Sequence, residues 1–386
     1  MLSTLVCLLA TQQISVQEPP QLRTICRNGA VVFVDRMPDE PVISVQLWAS
    51  AKSVPETPDT HGLRHLLEHI LVKGQAKDLD RRLETEGCFL TAQTFRDAMQ
   101  IEVNVGPQQL DLAIKTLNEL LKPVVTTQAE IDREVGVLTQ EFAIYDDGSR
   151  LSAAAWDQAF GKDGLDPFGD LQVLKKATPE ALKSIQRKQF YPEHLALVIA
   201  GPVDVKKATE AGVELIGMKQ GANSPPQVPQ RSGKPGRIEA NALGEGRAAL
   251  VGAFDSPGTV AALAAGLAVA SEVEDSFVTY TPSVANAVIT AGQVQGTSGM
   301  GRRFDGIAES DMPHLFAVGR YLAKTWYQRQ MSSPRSVAAF RGQLLCQGAG
   351  YRPEQMESAI KSMTFQAFQQ GLASFSRAKA VTVVGQ

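Results

Sequence analysis

His61-Gly62-Leu63-Arg64-His65-Leu66-Leu67-Glu68-His69-Ile70-Leu71 contains the pattern HxxEH, the inverted form of the HExxH zinc signature. On a helix, at about 100° per residue, Leu63, Leu66, Leu67, Ile70 and Leu71 fall in one stripe. His65, Glu68 and His69 fall on the opposite side. Imidazoles at i and i+4 lie one turn apart. That separation lets one nitrogen of each reach a single Zn²⁺ at about 2.0–2.1 Å. Glu68 stands beside them, where it can reach a water at the metal without being a ligand. A single His on a helix is ordinarily a surface or satisfied core residue. Here three residues of the right types stand at fixed spacing and use two of only 5 His in the chain.

A catalytic zinc takes three protein ligands and keeps one position open, so two His need a third donor. The helix expected over 130–145 offers it. Ile131, Val135, Leu138 and Phe142 make an apolar stripe, and Glu134 and Glu141 flank one edge of it, two turns apart. Carboxylates at the border of a buried stripe are costly unless something positive compensates them. A Zn²⁺ with its histidines would do so. Spacing alone leaves open which of the two is the ligand.

The chain around these segments has 386 residues, 44% hydrophobic and 20% charged, which is ample for a core and points to two domains. A net charge of -3 gives no basic field, so nucleic acid is not an expected partner. The 4 Cys (Cys7, Cys26, Cys88, Cys346) form neither a CxxC pair nor a disulfide scaffold. No apolar run reaches the roughly 20 residues of a transmembrane helix. Residues 1–16 read as a candidate signal segment, apolar over 2–10 but without a leading Lys or Arg. If it is one, the protein is periplasmic or secreted; otherwise it is cytoplasmic.

Strands are expected within 22–50, around the Asn28-Gly29 turn, and at 195–200, 248–254 and 380–384; Pro41 to Trp48 reads as a half-buried strand. Helices are expected at 60–73, 107–122, 128–146, 150–160, 260–271 and 313–328. Residues 219–237 hold four Pro and three Gly and read as a linker. The order strands, helices, closing strand occurs on both sides of it. The expectation is therefore an α+β fold of two related domains, each an antiparallel sheet with helices packed on one face. The zinc-bearing domain would be 17–218 and the shorter second domain 238–386.

The sequence resembles the pitrilysin family, the insulinase-like zinc peptidases that include mitochondrial processing peptidase. Gly62 to His69 followed by Lys73-Gly74 is similar to that family's active-site helix. Leu83-Glu84-Thr85-Glu86-Gly87 and Thr91-Ala92-Gln93-Thr94-Phe95-Arg96-Asp97 are similar to its next signature. Arg133-Glu134-Val135-Gly136-Val137-Leu138-Thr139-Gln140-Glu141 resembles its second acidic helix, and Phe190-Tyr191-Pro192 with Val198-Ile199-Ala200-Gly201 the end of its catalytic domain. The likeness covers roughly 22–217.

The resemblance implies a zinc metalloendopeptidase acting on extended peptides. Zn²⁺ would sit on His65, His69 and Glu141, with Glu68 as the base and Glu134 orienting a ligand histidine. Substrate would bind along an edge strand containing Thr91, Ala92 and Thr94. The family usually has Asn where Thr91 stands. Its Arg…Tyr pair has no clear counterpart in the second half: 299–304 resembles that region loosely, and Tyr280 has no Arg at the expected distance. Larger members close four such domains around substrate, so this chain would act as one half of a clam shell. Its partner would be a different, related subunit or a second copy, in which Arg302 or Arg303 would serve. A non-catalytic peptide-binding subunit retaining the metal site is the alternative.

Overall fold

The computed structural model describes residues 20–51, 56–74, 76–161, 165–218, 242–251, 257–283, 286–294, 303, 304, 306–347, 352–377 and 381–384. The signal segment expected over 1–16 and the linker expected over 219–237 lie outside these, as do Arg302 and residues 299–301. Among the described residues no helix is long and apolar enough to cross a membrane.

The first half builds a six-stranded sheet from β1 (Gln21–Ile25), β2 (Val31–Arg36), β3 (Ile43–Ser50), β4 (Phe89–Thr94), β5 (Ala98–Val105) and β6 (Leu195–Gly201). The spatial order is β1-β2-β6-β3-β5-β4. All neighbours are antiparallel except β2 and β6, which run parallel because the chain returns to the sheet centre only after its helices. The turn into β2 is the expected one, with Gly29 at φ +86 and the Asn28 side chain accepting from Ala30 N at 3.1 Å. The helices of this half are α1 (Leu63–Leu71), α2 (Leu79–Thr85), α3 (Leu110–Leu120), α4 (Gln128–Ile144), α5 (Asp147–Phe160), α6 (Leu171–Leu174), α7 (Pro179–Gln189) and α8 (Val205–Gly212).

The second half forms a four-stranded antiparallel sheet from β7 (Ala242–Val251), β8 (Ser276–Ser283), β9 (Asn286–Val294) and β10 (Val381–Val384), in the order β10-β7-β9-β8. Its helices are α9 (Pro257–Ala270), α10 (Met312–Gln330), α11 (Pro334–Gln347), α12 (Pro353–Lys361) and α13 (Phe365–Arg377). Helix α9 is apolar all round and lies in the centre of the second core, against Leu315, Phe368 and Phe375. The mixed α+β architecture is the expected one.

Two helices cross between the halves. Helix α5, from the first half, packs on β7, β9 and β10. There Leu151, Ala155 and Trp156 meet Val288, and Trp156 Nε1 donates to Thr290 Oγ1 at 2.9 Å. Helix α11, from the second half, packs on β3 and β6 of the first sheet. Each sheet thus carries its own helices on one face and a helix of the other half on the opposite face. This accounts for β3, expected to be half-buried and found buried at all eight positions. Ile43, Val45, Leu47 and Ala49 face the first core, and Ser44, Gln46 and Trp48 lie under α11. Gln46 is satisfied on that face: its Nε2 donates to the Arg335 carbonyl at 2.9 Å, and its Oε1 accepts from Trp48 Nε1 at 3.1 Å. Arg341 of α11 is bound to Asp35 of β2 at 2.8 Å, both nearly buried.

The close approach of α11 depends on a glycine. A Cβ at Gly342 would stand 2.1 Å from Trp48 Cδ1. In an unencumbered helix Gly→Ala gains about 1 kcal/mol of helix propensity. At this site overpacking reverses the sign, and Gly342→Ala is expected to cost about 1–3 kcal/mol. Denaturant midpoints compared with wild type check this, and a stabilised variant would show that α11 does not rest on Trp48.

Candidate metal centre

Helix α1 starts at Gly62, whose φ of +90 no L residue adopts easily. No side chain of its own caps it. Instead Glu56 Oε2 accepts from Gly62 N at 2.9 Å, meeting one of the orphan donors of the first turn. The other oxygen of Glu56 holds Arg64 Nε at 2.9 Å. Arg64, 1% exposed, also donates from Nη2 to the carbonyls of Phe95 and Arg96, at 3.0 and 2.8 Å. The helix bearing the histidines is thereby bolted to the residues that follow β4. Phe95 is fixed further by stacking on Trp48 at 5.3 Å.

Helix α4 opens on a capping box between Thr127 and Glu130. The leucine stripe of α1 packs with Ile131, Val135 and Leu138 of α4 and Leu182 and Ile185 of α7 in one apolar cluster. That packing turns the polar edges of α1 and α4 toward each other. His65 Nε2 lies 3.7 Å from Glu141 Oε2, and His69 Nε2 lies 3.6 Å from Glu141 Oε1. Donor atoms of all three lie within 4.8 Å of one another. Tetrahedral zinc at 2.0–2.2 Å needs donors roughly 3.4 Å apart. Two imidazoles and one carboxylate, nearly at that spacing, are the donor set such an ion requires.

The protonation of His65 suits ligation. Burial, and next the neighbouring His69, hold its pKa down to about 4, so the ring is neutral near pH 7. Its Nδ1 lies 3.3 Å from the Phe168 carbonyl. With Nδ1 donating there, Nε2 keeps its lone pair for the side facing Glu141.

Glu68 is 8% exposed, and burial pushes its carboxyl up to about 7. The Thr94 hydroxyl donates to its Oε2 at 2.7 Å and opposes that rise. Glu134, 2% exposed, does not join the donor trio. One oxygen lies 3.7 Å from His69 Nδ1, and the other is bound by the Lys73 ammonium. Sequence reasoning quoted Lys73 as part of a signature and gave it no role. A cation four residues after the second His was the available signal.

His65, Glu68, His69 and Glu141 line a cleft of about 1110 Å³. One wall is β4 and its continuation, through Ala92, Gln93, Thr94, Phe95 and Arg96; the other includes Phe277, Thr279 and Thr281 of β8. Both strands are sheet edges. Of the residues expected to touch substrate, Ala92 and Thr94 line the cleft, and Thr94 directs its hydroxyl at Glu68. Thr91 is exposed on β4 and is not among the lining residues. Arg303 is paired with Glu272 at 2.6 Å and Asp311 at 3.3 Å, in the second half.

Residues 31–165, which include all five of His65, Glu68, His69, Glu134 and Glu141, match the model of the insulinase family, peptidase family M16. This part of the chain is similar to that family. Among its relatives is an uncharacterized zinc protease of Streptomyces coelicolor, 26% identical over 238 residues, covering 60% of this chain and 51% of the relative. The mitochondrial-processing peptidase subunit beta of Saccharomyces cerevisiae is 25% identical over 223 residues, covering 55% and 48%. The chain spans about half the length of the curated relatives it matches. A protease from Helicobacter pylori has the same fold, with a TM-score of 0.80 at 15% identity over 95% of this chain and 99% of that one. The first half of the periplasmic protease PqqL from Escherichia coli superposes with a TM-score of 0.70 at 13% identity, covering 95% and 92%. The whole PqqL chain is matched over only 48% of its length. PqqL therefore contains this chain's fold as a unit and carries more than one such unit's length in a single polypeptide.

Arg64 and Glu56 have side chains 1% and 4% exposed. Removing one partner of a buried ion pair costs about 3–5 kcal/mol. Arg64→Leu is expected to lose stability of that order in denaturant unfolding. A loss below about 1 kcal/mol would mean that the pair does not secure α1.

Proposed function

We propose that this protein is a zinc-dependent metalloendopeptidase that hydrolyses extended peptides. One observation carries the reading: His65 Nε2, His69 Nε2 and the Glu141 carboxylate converge in a cleft that also holds Glu68 and runs along a free sheet edge. The donor set fits Zn²⁺, and relatives bearing the name zinc protease support that choice.

Bound there, Zn²⁺ supplies Lewis acidity toward a scissile carbonyl and the attacking water. The protein's own residues do the rest. The substrate backbone adds to β4 as a further strand, which makes recognition mainly a matter of main-chain hydrogen bonds and keeps sequence preference broad. Glu68 takes a proton from the attacking water on its carboxylate and returns it to the departing amine. Thr94 holds Glu68 by one oxygen and leaves the other for that transfer. Glu134 orients the ring of His69 through Nδ1, and Lys73 compensates the buried charge of Glu134.

The acting unit, on this reading, is an assembly of two chains, with a related subunit or a second copy closing over the cleft. The match to one half of PqqL supports it. A second reading, a peptide-binding subunit without turnover, keeps the same cleft and metal site. The presence of Glu68 beside the trio favours the catalytic one.

His65→Ala and His69→Ala are each expected to abolish stoichiometric zinc in dialysed protein analysed for metal. Glu68→Gln should retain zinc and lower kcat about 10²–10⁴-fold. Peptide cleavage by Glu68→Gln at the wild-type rate would overturn the assignment of the base. Wild-type protein that holds zinc and cleaves no peptide, with and without a related subunit added, would favour the second reading.

Glu134→Gln and Glu141→Gln separate the two carboxylates. Loss of a group that orients a ligand weakens metal binding about 10–100-fold. Competition against a chromophoric chelator should therefore rank Glu141→Gln as the greater loss. The reverse ranking would exchange their roles.

A further inference from the structure

The segment 166–169, which is Asp166-Pro167-Phe168-Gly169, is fastened to the start of α1 at several points. His61 Nε2 lies 2.8 Å from the Asp166 carbonyl oxygen. Asp170 N donates to the His61 carbonyl at 3.2 Å. Asp166 Oδ1 accepts from Phe168 N at 2.8 Å and from Gly169 N at 3.3 Å, which fixes the turn. Gly169, at φ +106, lies directly on Gly62: a Cβ at Gly169 would stand 2.5 Å from Gly62 Cα, and one at Gly62 would stand 2.6 Å from Gly169 Cα. This is contact of backbone with backbone, where no side chain can yield.

The fastening sets the position of Phe168, which touches both metal-bearing helices. Its carbonyl is the 3.3 Å partner of His65 Nδ1, and its ring lies 5.2 Å from the His65 ring. On the α4 side the same ring meets Phe142 at 4.9 Å, edge-on, and stacks on Tyr145 at 4.1 Å. Phe142 and Tyr145 are one and four residues beyond Glu141. Phe168 therefore fills the space between the helix that carries the histidines and the helix that carries the carboxylate.

We infer that Phe168 and Gly169 are positioning residues of the metal centre: the Gly62–Gly169 contact seats the Phe168 carbonyl on His65 Nδ1, and the Phe168 ring sets the separation of His65 from Glu141. The inference rests on the reading of His65, His69 and Glu141 as metal ligands. It adds that the site is completed by a segment about one hundred residues away in the chain, not by α1 and α4 alone. Gly169 acts through the carbonyl it seats, and Phe168 acts through both its carbonyl and its ring, so their losses should differ in kind. A Cβ at Gly169 displaces the carbonyl and releases the His65 tautomer. Truncation at Phe168 keeps the carbonyl and lets the two helices approach or rotate.

The test uses the full chain. Zn²⁺ affinity is measured by competition with a chromophoric chelator, and the visible spectrum of the Co²⁺-loaded protein reports ligand geometry. Gly87→Ala is the control, because Gly87 also has positive φ, at +72, but a Cβ there meets nothing within 4 Å. Gly169→Ala and Phe168→Ala should each weaken Zn²⁺ about 10–100-fold. Both should alter the Co²⁺ spectrum, and Gly87→Ala should change neither. Phe168→Leu, which restores apolar bulk, should recover part of the affinity lost in Phe168→Ala. Wild-type affinity and spectrum in both variants, with wild-type protein binding one metal, would overturn the inference and leave the metal centre standing. Failure of the wild-type protein to bind Zn²⁺ or Co²⁺ would overturn the underlying reading instead. If Gly169→Ala does not fold, Phe168→Ala decides alone, since Phe168 is only partly buried.

Discussion

The apolar seam between α1 and α4 is the constraint from which the site follows. Leu66 and Leu67 are completely buried and Ile70 nearly so, in one cluster with Ile131, Val135 and Leu138. Burying such side chains is worth about 1.5–3 kcal/mol each, so neither helix can rotate about its axis without large loss. Fixed rotation fixes the polar edges. His65 and His69 come to one side of the seam, Glu134 and Glu141 meet them from the other, and Glu134, its side chain 2% exposed, stands where only positive charge makes its burial tolerable. Lys73 meets that need at Glu134. Glu141, its side chain 35% exposed, faces the two imidazoles.

The reciprocal crossing of α5 and α11 secures the cleft on a larger scale. Each helix is buried against the sheet of the other half, so the halves are joined by interior packing as well as by chain connection. The buried pair of Arg341 with Asp35 fixes the register of α11 on the first sheet, since sliding by one turn would separate two nearly buried opposite charges. A consequence reaches the site. The β8 wall of the cleft belongs to the second half, and the β4 wall to the first. The width between them is set by these two interfaces.

Much of the site was legible because its chemistry is periodic. HxxEH places three groups on one helix face by spacing alone, and Glu134 with Glu141 repeats at seven on the next acidic helix. Residues 195–200, an unbroken apolar run before Gly201-Pro202, fall in an observed strand, β6, as expected. What was not legible depends on contacts with no period. Nothing in Pro41 to Trp48 shows that a helix from beyond residue 330 covers its second face, so Ser44 and Gln46 looked solvated when they are buried. Nothing in the spacing marks Arg64 as an internal clamp, because its partners lie at Glu56, Phe95 and Arg96. Arg303 looked available for a site and is committed to Glu272 and Asp311. The Phe168 carbonyl is 103 residues from the His65 that it orients.

The edge strand β4 shows how the same geometry serves both protection and function. An unpaired edge presents backbone donors and acceptors to any passing strand and invites aggregation. β4 is six residues long, and from Ala92 onward it lines the interior of the cleft and not an open flank of the sheet. The fixed end of β4, clamped at Phe95 and Arg96 by Arg64, holds that edge in a constant position relative to Glu68 and the two histidines. On the function proposed above, that clamp would set the register of an added peptide strand through its backbone, whatever its side chains.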